Sequence, residues 1–286
     1  MRLLKRCSLI ALAVTALHTQ AASVWKVSAG QNSLYIGGTI HVLTPADYPL
    51  PKEYDSAFQA ADKLIFETDI AAVNSIEFQQ KMMSQLVYAD GTTLDKVLKA
   101  ETYTALKQHL AARNVPVEAM AQLKPALVAI SLTVMELQAM GFTSEGVDQF
   151  YSNLARDAGK PQAWLETPDE QLAFIVGMGK EDESAMIDYA IKDVEKLPEV
   201  INTMHASWLA GDMPALAAAT IDDFKANYPL MYQDLLLSRN NLWMPQISKM
   251  LNDEEVEFIL VGAMHLAGPD SILNKLKAKG FKVEKL

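Results

Sequence analysis

Two stretches of the chain, LYIGGTIHVLTPADYP at 34–49 and FILVGAMHLAGPDSIL at 258–273, share one design. Each runs from an apolar segment through Gly-x-x-His to a proline four residues further on. They deliver His41 and His265. Two further apolar runs end in an acid: KLIFETD delivers Glu67, with Asp69 close behind, and QAWLE delivers Glu166. In open α/β sheets, ligands bind beyond the carboxyl ends of the strands, where loops converge. Two imidazoles and one or two carboxylates at such a place are the ligand set of a divalent ion with open positions, suited to Zn, Mn, Fe or Co. A bound ion lowers the pKa of its water to ~7 and polarises a carbonyl. One carboxylate would bind metal while the other serves as general base. Without metal, the same set works as a His/Glu acid–base pair. No compact H-E-x-x-H motif occurs, and every ligand is distant from the others in sequence.

The flanking residues have physical reasons of their own. A glycine three residues before each histidine lets the backbone turn sharply or a ligand approach closely. Pro45 and Pro269 suit the first turn of a following helix, whose N-terminus would face the crevice and favour anionic groups. Arg239, in DLLLSRNNLWMPQI, stands in a mostly apolar helical neighbourhood. It is either a bidentate holder of a carboxylate or oxyanion, or a solvated helix arginine. Asp148 in GVDQFY reads as a helix N-terminal acid or, second to that, a site residue. His109 and His205 lie on helical stretches with no acid partner in an obvious position and read as structural. Methionines scattered singly from Met178 to Met250 sit at core-like spacing, which points to adaptable packing rather than copper binding.

The elements that must position these side chains follow from periodicity and punctuation. SVWKVSAGQNSLYIGG predicts two short strands around a turn, PKEYDSAFQAAD a helix, and KLIFETD a buried strand parallel to the one before it. Helical patterns fill about 73–158, with Thr93 as a possible N-cap and Gly141 closing PALVAISLTVMELQAMG. QAWLE is a further strand. Residues 169–252 are helical again, with expected breaks at Pro198, Pro214, Pro229 and Pro245. VEFILVGAMH, a helix and the strand FKVEKL close the chain. The expectation is an α/β fold: a single domain over 23–286, with a central mixed sheet formed by strands from both chain ends and large helical insertions.

The first residues bound the compartment. MRLLKR is basic, CSLIALAVTAL is an apolar run, and HTQAAS offers small residues for cleavage after Ala21 or Ala22. That is the layout of a secretory signal peptide over 1–22 and implies a periplasmic or secreted protein. Cleavage would remove Cys7, the only cysteine, leaving no disulfide, thiol nucleophile or thiolate ligand. It would also take Arg2, Lys5 and Arg6 from 25 basic residues, so 22 face 35 acids and the net charge becomes −13. So acidic a protein is a poor partner for nucleic acid or anionic lipid. No second long apolar run suggests a membrane span in the mature chain.

Taken together, GGTIHVLTPADYPLP, LIFETD, GVDQF…ARDAGKP…WLET, LSRNNLWMPQI and the C-terminal FILVGAMHLAGPDSILNKLKAKGFKVEKL resemble the TraB/GumN family, which includes the animal Tiki proteins, regarded as membrane-tethered metalloproteases. The resemblance spans nearly all of the mature chain. It implies a metal-dependent hydrolase, possibly a peptidase acting on a peptide or protein substrate. His41, Glu67 and His265 would hold the ion (Mn, Co or Zn), and Glu166 and Arg239 match the family's "LET" and "RN" segments. Ser238 stands where the family often has an acid. Two other functions fit the same residues. One is a peptide- or haem-binding protein without catalysis; the other is a metal-free, esterase-like hydrolase.

Overall fold

The protein is described by a computed structural model covering residues 22–180 and 182–286. The expected signal segment lies outside the described residues, apart from Ala22. Six strands form one sheet: β1 (Val24–Ala29), β2 (Asn32–Thr39), β3 (Lys63–Phe66), β4 (Gln162–Trp164), β5 (Glu257–Gly262) and β6 (Lys282–Lys285), in the order β4-β3-β5-β2-β1-β6. β4, β3, β5 and β2 are mutually parallel; β1 pairs antiparallel with both β2 and β6. The mixed sheet, with strands from both chain ends, is as expected.

The central strand β5 is apolar almost throughout because both of its faces are covered, and all six of its residues are buried. Its neighbours are β3 and β2. Four strand ends that are far apart in sequence therefore point the same way. In the β2–β5 register, Thr39 lies opposite Gly262, which sets the two Gly-x-x-His segments side by side.

Thirteen α-helices are present among the described residues. α1 (Lys52–Ala60) crosses from β2 to β3; α2 (Ile70–Val73), α3 (Ile76–Leu86), α4 (Leu94–Val97), α5 (Ala100–Ala111), α6 (Pro125–Ala139) and α7 (Val147–Asp157) lie between β3 and β4. α8 (Pro168–Gly177), α9 (Glu183–Ala210), α10 (Met213–Asn227), α11 (Pro229–Tyr232) and α12 (Ser238–Met250) lead to β5, and α13 (Ile272–Ala278) precedes β6. The helical stretches build a second core of their own, in which Leu94, Leu106, Leu110, Val128, Leu132, Ile187 and Val194 pack together away from the sheet. α7 is different. Its Val147, Tyr151 and Ala155 join the sheet core, so this last helix of the 73–158 stretch is a crossover helix.

Two of the expected proline breaks do not occur. Pro214 and Pro229 open helices, but Pro198 lies inside the 28-residue α9 and Pro245 inside α12. A mid-helix proline costs about 3 kcal/mol through one lost bond and a ring clash. α9 offsets this by burying Met186, Ile187, Val194, Leu197, Ile201 and Trp208 along its length. Pro269 also departs from expectation: it sits in a turn, and Ser271, not proline, opens α13 by accepting from the Asn274 amide. Pro45 does begin a helical turn, a three-residue 3-10 segment.

Candidate active site

His41, Glu67, Glu166 and His265 stand just past the carboxyl ends of β2, β3, β4 and β5, four adjacent parallel strands. His41 and Glu67 line a crevice of about 410 Å³ with Thr39, Thr68, Asp148 and Arg239, and Ile70, Val73, Phe174 and Ile175 form an apolar wall; Glu166 and His265 are buried behind it. The glycines of the two motifs work through close approach. A Cβ on Gly38 would lie 3.3 Å from the backbone of Ala263, so the first motif nests against the turn of the second. A Cβ on Gly262 would meet Glu67 Oε1 at 3.2 Å, His265 Cδ2 at 3.6 Å and His41 Nε2 at 3.7 Å, which places this glycine at the junction of all three groups.

Glu67 is buried and tightly held. Its Oε1 accepts from the Gly262 amide at 2.6 Å and its Oε2 from Arg239 Nη2 at 2.6 Å. Burial alone would push its carboxyl up, but Arg239, the two histidines and the Gly262 amide outweigh that and hold it well below the usual carboxylate range. Glu67 is therefore ionised.

Arg239 carries the cation of the site. It approaches Glu166 in a bidentate fork (Nε–Oε2 3.0 Å, Nη2–Oε1 2.6 Å), and Nη1 reaches the Leu235 carbonyl and His265 Nε2, each at 3.3 Å. All five of its N–H donors are committed. Its guanidinium carbon also lies 4.6 Å from the Trp243 ring centroid. A π-helical turn at Gln233–Leu237, just before α12, brings the Leu235 carbonyl under the guanidinium. Of the two expectations for Arg239, the structure shows a buried bidentate holder of a carboxylate, here Glu166, and not a solvated helix arginine. Glu166 accepts from Arg239, Trp243 Nε1 and Gln171 Nε2, and burial pushes its carboxyl up against the pull of Arg239.

The two histidines have opposite electrostatics. His265 is buried, with Nδ1 2.7 Å from Asn240 Oδ1, so Nδ1–H donates there and Nε2 keeps its lone pair. Desolvation, with the cation of Arg239, lowers it to about 3 in spite of Glu67. His41 has a side chain 62 % exposed, with Nδ1 3.1 Å from Asp148 Oδ1. The attraction of Asp148, against a smaller opposing effect of burial, raises it to about 9, part of that attraction being screened at so open a position. His41 is thus held towards its protonated form and His265 towards its neutral form.

Asp148 is the residue the sequence underplayed. It is indeed in the first turn of α7, but it is also the partner of His41. The signal was Gly146. The chain of His41 passes so close to it that a Cβ there would come within 2.3 Å of the His41 carbonyl carbon, and the Val147 amide donates to the Ile40 carbonyl. Asn240, next to Arg239, was also missed. His205 does have an acid nearby, with Nε2 2.8 Å from Asp47 Oδ1 in the 3-10 segment after His41, though without hydrogen-bond geometry. His109 is buried within the second core, away from the crevice.

Both histidines are tied at Nδ1 to an oxygen, which is how metal-ligating imidazoles are held. The guanidinium of Arg239, however, already occupies the cation position beside His265 Nε2 and Glu67. Among the described residues, no three or more His, Cys, Asp or Glu side chains are grouped to hold a metal. With Arg239 in that place the residues do not fit a divalent ion.

Thr39 and Thr68 complete the floor of the crevice. Both are buried, and neither hydroxyl has a hydrogen-bond partner among the described residues. Such an unpaired buried group costs roughly 1–3 kcal/mol.

Comparison with known proteins gave no match among curated proteins and none among solved structures. A family profile, in contrast, matches residues 23–285, spanning both Gly-x-x-His segments and every residue of the crevice. The chain belongs to the TraB/PrgY/gumN family.

Proposed function

We propose that the protein is a hydrolase of the peptidase class, working in this crevice through a His41–Glu67 acid–base pair. One observation carries the reading. His41 and Glu67 line the same crevice with opposite partners, His41 beside the Asp148 carboxylate and Glu67 clamped by Arg239 and the Gly262 amide, which pushes the imidazole up and the carboxyl down. His41 then gives a proton to the leaving amine, while Glu67 orients the attacking water and takes its proton. Asp148 holds the His41 ring, Arg239 and the Gly262 amide hold Glu67, and Glu166, Trp243 and Asn240 hold the holders. Because Glu67 is so weak a base, the proton from His41 carries most of the step. Removing a general acid of this kind typically costs 10²–10⁴-fold in rate. His41→Ala is therefore expected to lose at least about a hundredfold in peptide hydrolysis; a loss under about threefold contradicts the role.

A second reading is the exported, metal-dependent form of the same hydrolase. It is favoured by the two imidazoles tied at Nδ1 on either side of Glu67. Elemental mass spectrometry of the purified protein after incubation with Mn, Co and Zn tests it. Near-stoichiometric metal, lost in the His41→Ala/His265→Ala variant, supports it. No metal in either protein removes it.

A further inference from the structure

The crevice is built unevenly, and its two sides ask for different chemistry. One wall is apolar: Ile70 and Val73 from α2 face the opening with Phe174 and Ile175 from α8, all four partly exposed. The apolar character continues outwards along α3, where Ile76 is 73 % exposed and Met83, seven residues on and so on the same helical face, is 43 % exposed. The inner face of α3 is already spent, since Phe78 and Met82 pack on the helical core. Few charges remain for a ligand. No lysine lines the crevice, and the guanidinium of Arg239 is neutralised by Glu67 and Glu166. The rest of the lining carries His41, Glu67 and Asp148, next to Thr39 and Thr68, whose hydroxyls are closed off from the crevice.

We propose that the crevice selects a peptide residue with an uncharged, apolar side chain, resting on the reading of the site as hydrolytic. The side chain lies against Ile70, Val73, Phe174 and Ile175. A charged side chain would be desolvated against the apolar wall with no partner there.

The test uses end-blocked pentapeptides Ala-Ala-X-Ala-Ala, with X as Leu, Asp or Lys, titrated calorimetrically into the His41→Ala protein so that turnover does not consume them. The Leu peptide is expected to bind at least about tenfold tighter than either charged peptide. Adding Val73→Asp should cut the Leu-over-Lys ratio at least about threefold. If that variant fails to fold by circular dichroism, Phe174→Ala should lower the Leu-over-Asp ratio instead. Equal affinities for the three peptides, or no binding of any, overturns the apolar subsite. Selective binding without product release by the wild-type protein would leave the subsite standing and overturn hydrolysis instead.

Discussion

At the scale of single residues, the protonation of His41 is the most exposed claim. The ring is raised from its ordinary 6.5 to about 9 by Asp148, so the stabilising contact is fully present below about 6.5 and is lost as pH rises through about 9. Activity that depends on its proton should fall over the same upper range. An NMR titration should place His41 well above 6.5 in the wild type and bring it down in Asp148→Asn; an unmoved titration would detach Asp148 from the site. His265 works in the other direction. Its pKa is lowered to about 3, so the unfolded chain binds the proton more readily, and stability is whole above about 6.5 and lost as pH falls towards 3. Melting temperature should therefore drop between pH 6 and pH 4, and the drop should be shallower in His265→Gln. An equally steep drop in that variant would show that His265 is not a neutral buried base. These roles were only half legible in sequence. The residue types at the four strand ends could be read, but which histidine is protonated depends on Asp148 and Asn240, which sit 107 and 25 residues from their partners.

At the scale of elements, the site depends on how α7 and α12 meet the sheet. α12 inserts Arg239 between two buried carboxylates, so Arg239→Met leaves Glu67 and Glu166 uncompensated. The expected loss is about 3–5 kcal/mol, measured by denaturant unfolding, and Glu67→Gln/Glu166→Gln in the same chain should recover part of it. α7 is placed by Gly146. Gly146→Ala drives a methyl into the His41 backbone and should lower the His41 pKa by separating it from Asp148, an effect a purely local strain would not produce. Proline was the least reliable signal in the chain. Pro198 is exposed in the middle of α9, and Pro198→Ala should raise stability by about 1–3 kcal/mol. A local rule marks a break there, yet the buried face of α9 carries the helix across it. The strands were legible for the opposite reason: EFILVG and KLIF are short, apolar and β-branched, and nothing in their surroundings competes with that pattern.

At the scale of the molecule, the twin motifs find their explanation in topology. β2 and β5 come from opposite ends of the chain but lie side by side in the sheet, so the two Gly-x-x-His segments converge on one junction at Gly262. The sequence could suggest convergence because the motifs echo each other. It could not show that Arg239 would stand between them, because a clamp using all five of its N–H donors exists only once β3, β4, β5 and α12 are assembled. The account predicts that peptide hydrolysis occurs in this crevice and depends on His41 and Glu67. The most direct test is mass spectrometry of a defined peptide mixture incubated in heavy-oxygen water with the wild-type protein and with His41→Ala and Glu67→Gln, each with and without chelator. The account predicts wild-type products carrying one heavy oxygen in the new carboxylate, persisting in chelator and nearly absent in both variants. Products that persist in both variants, or no cleavage by the wild-type protein with or without added Mn, Co or Zn, would contradict it.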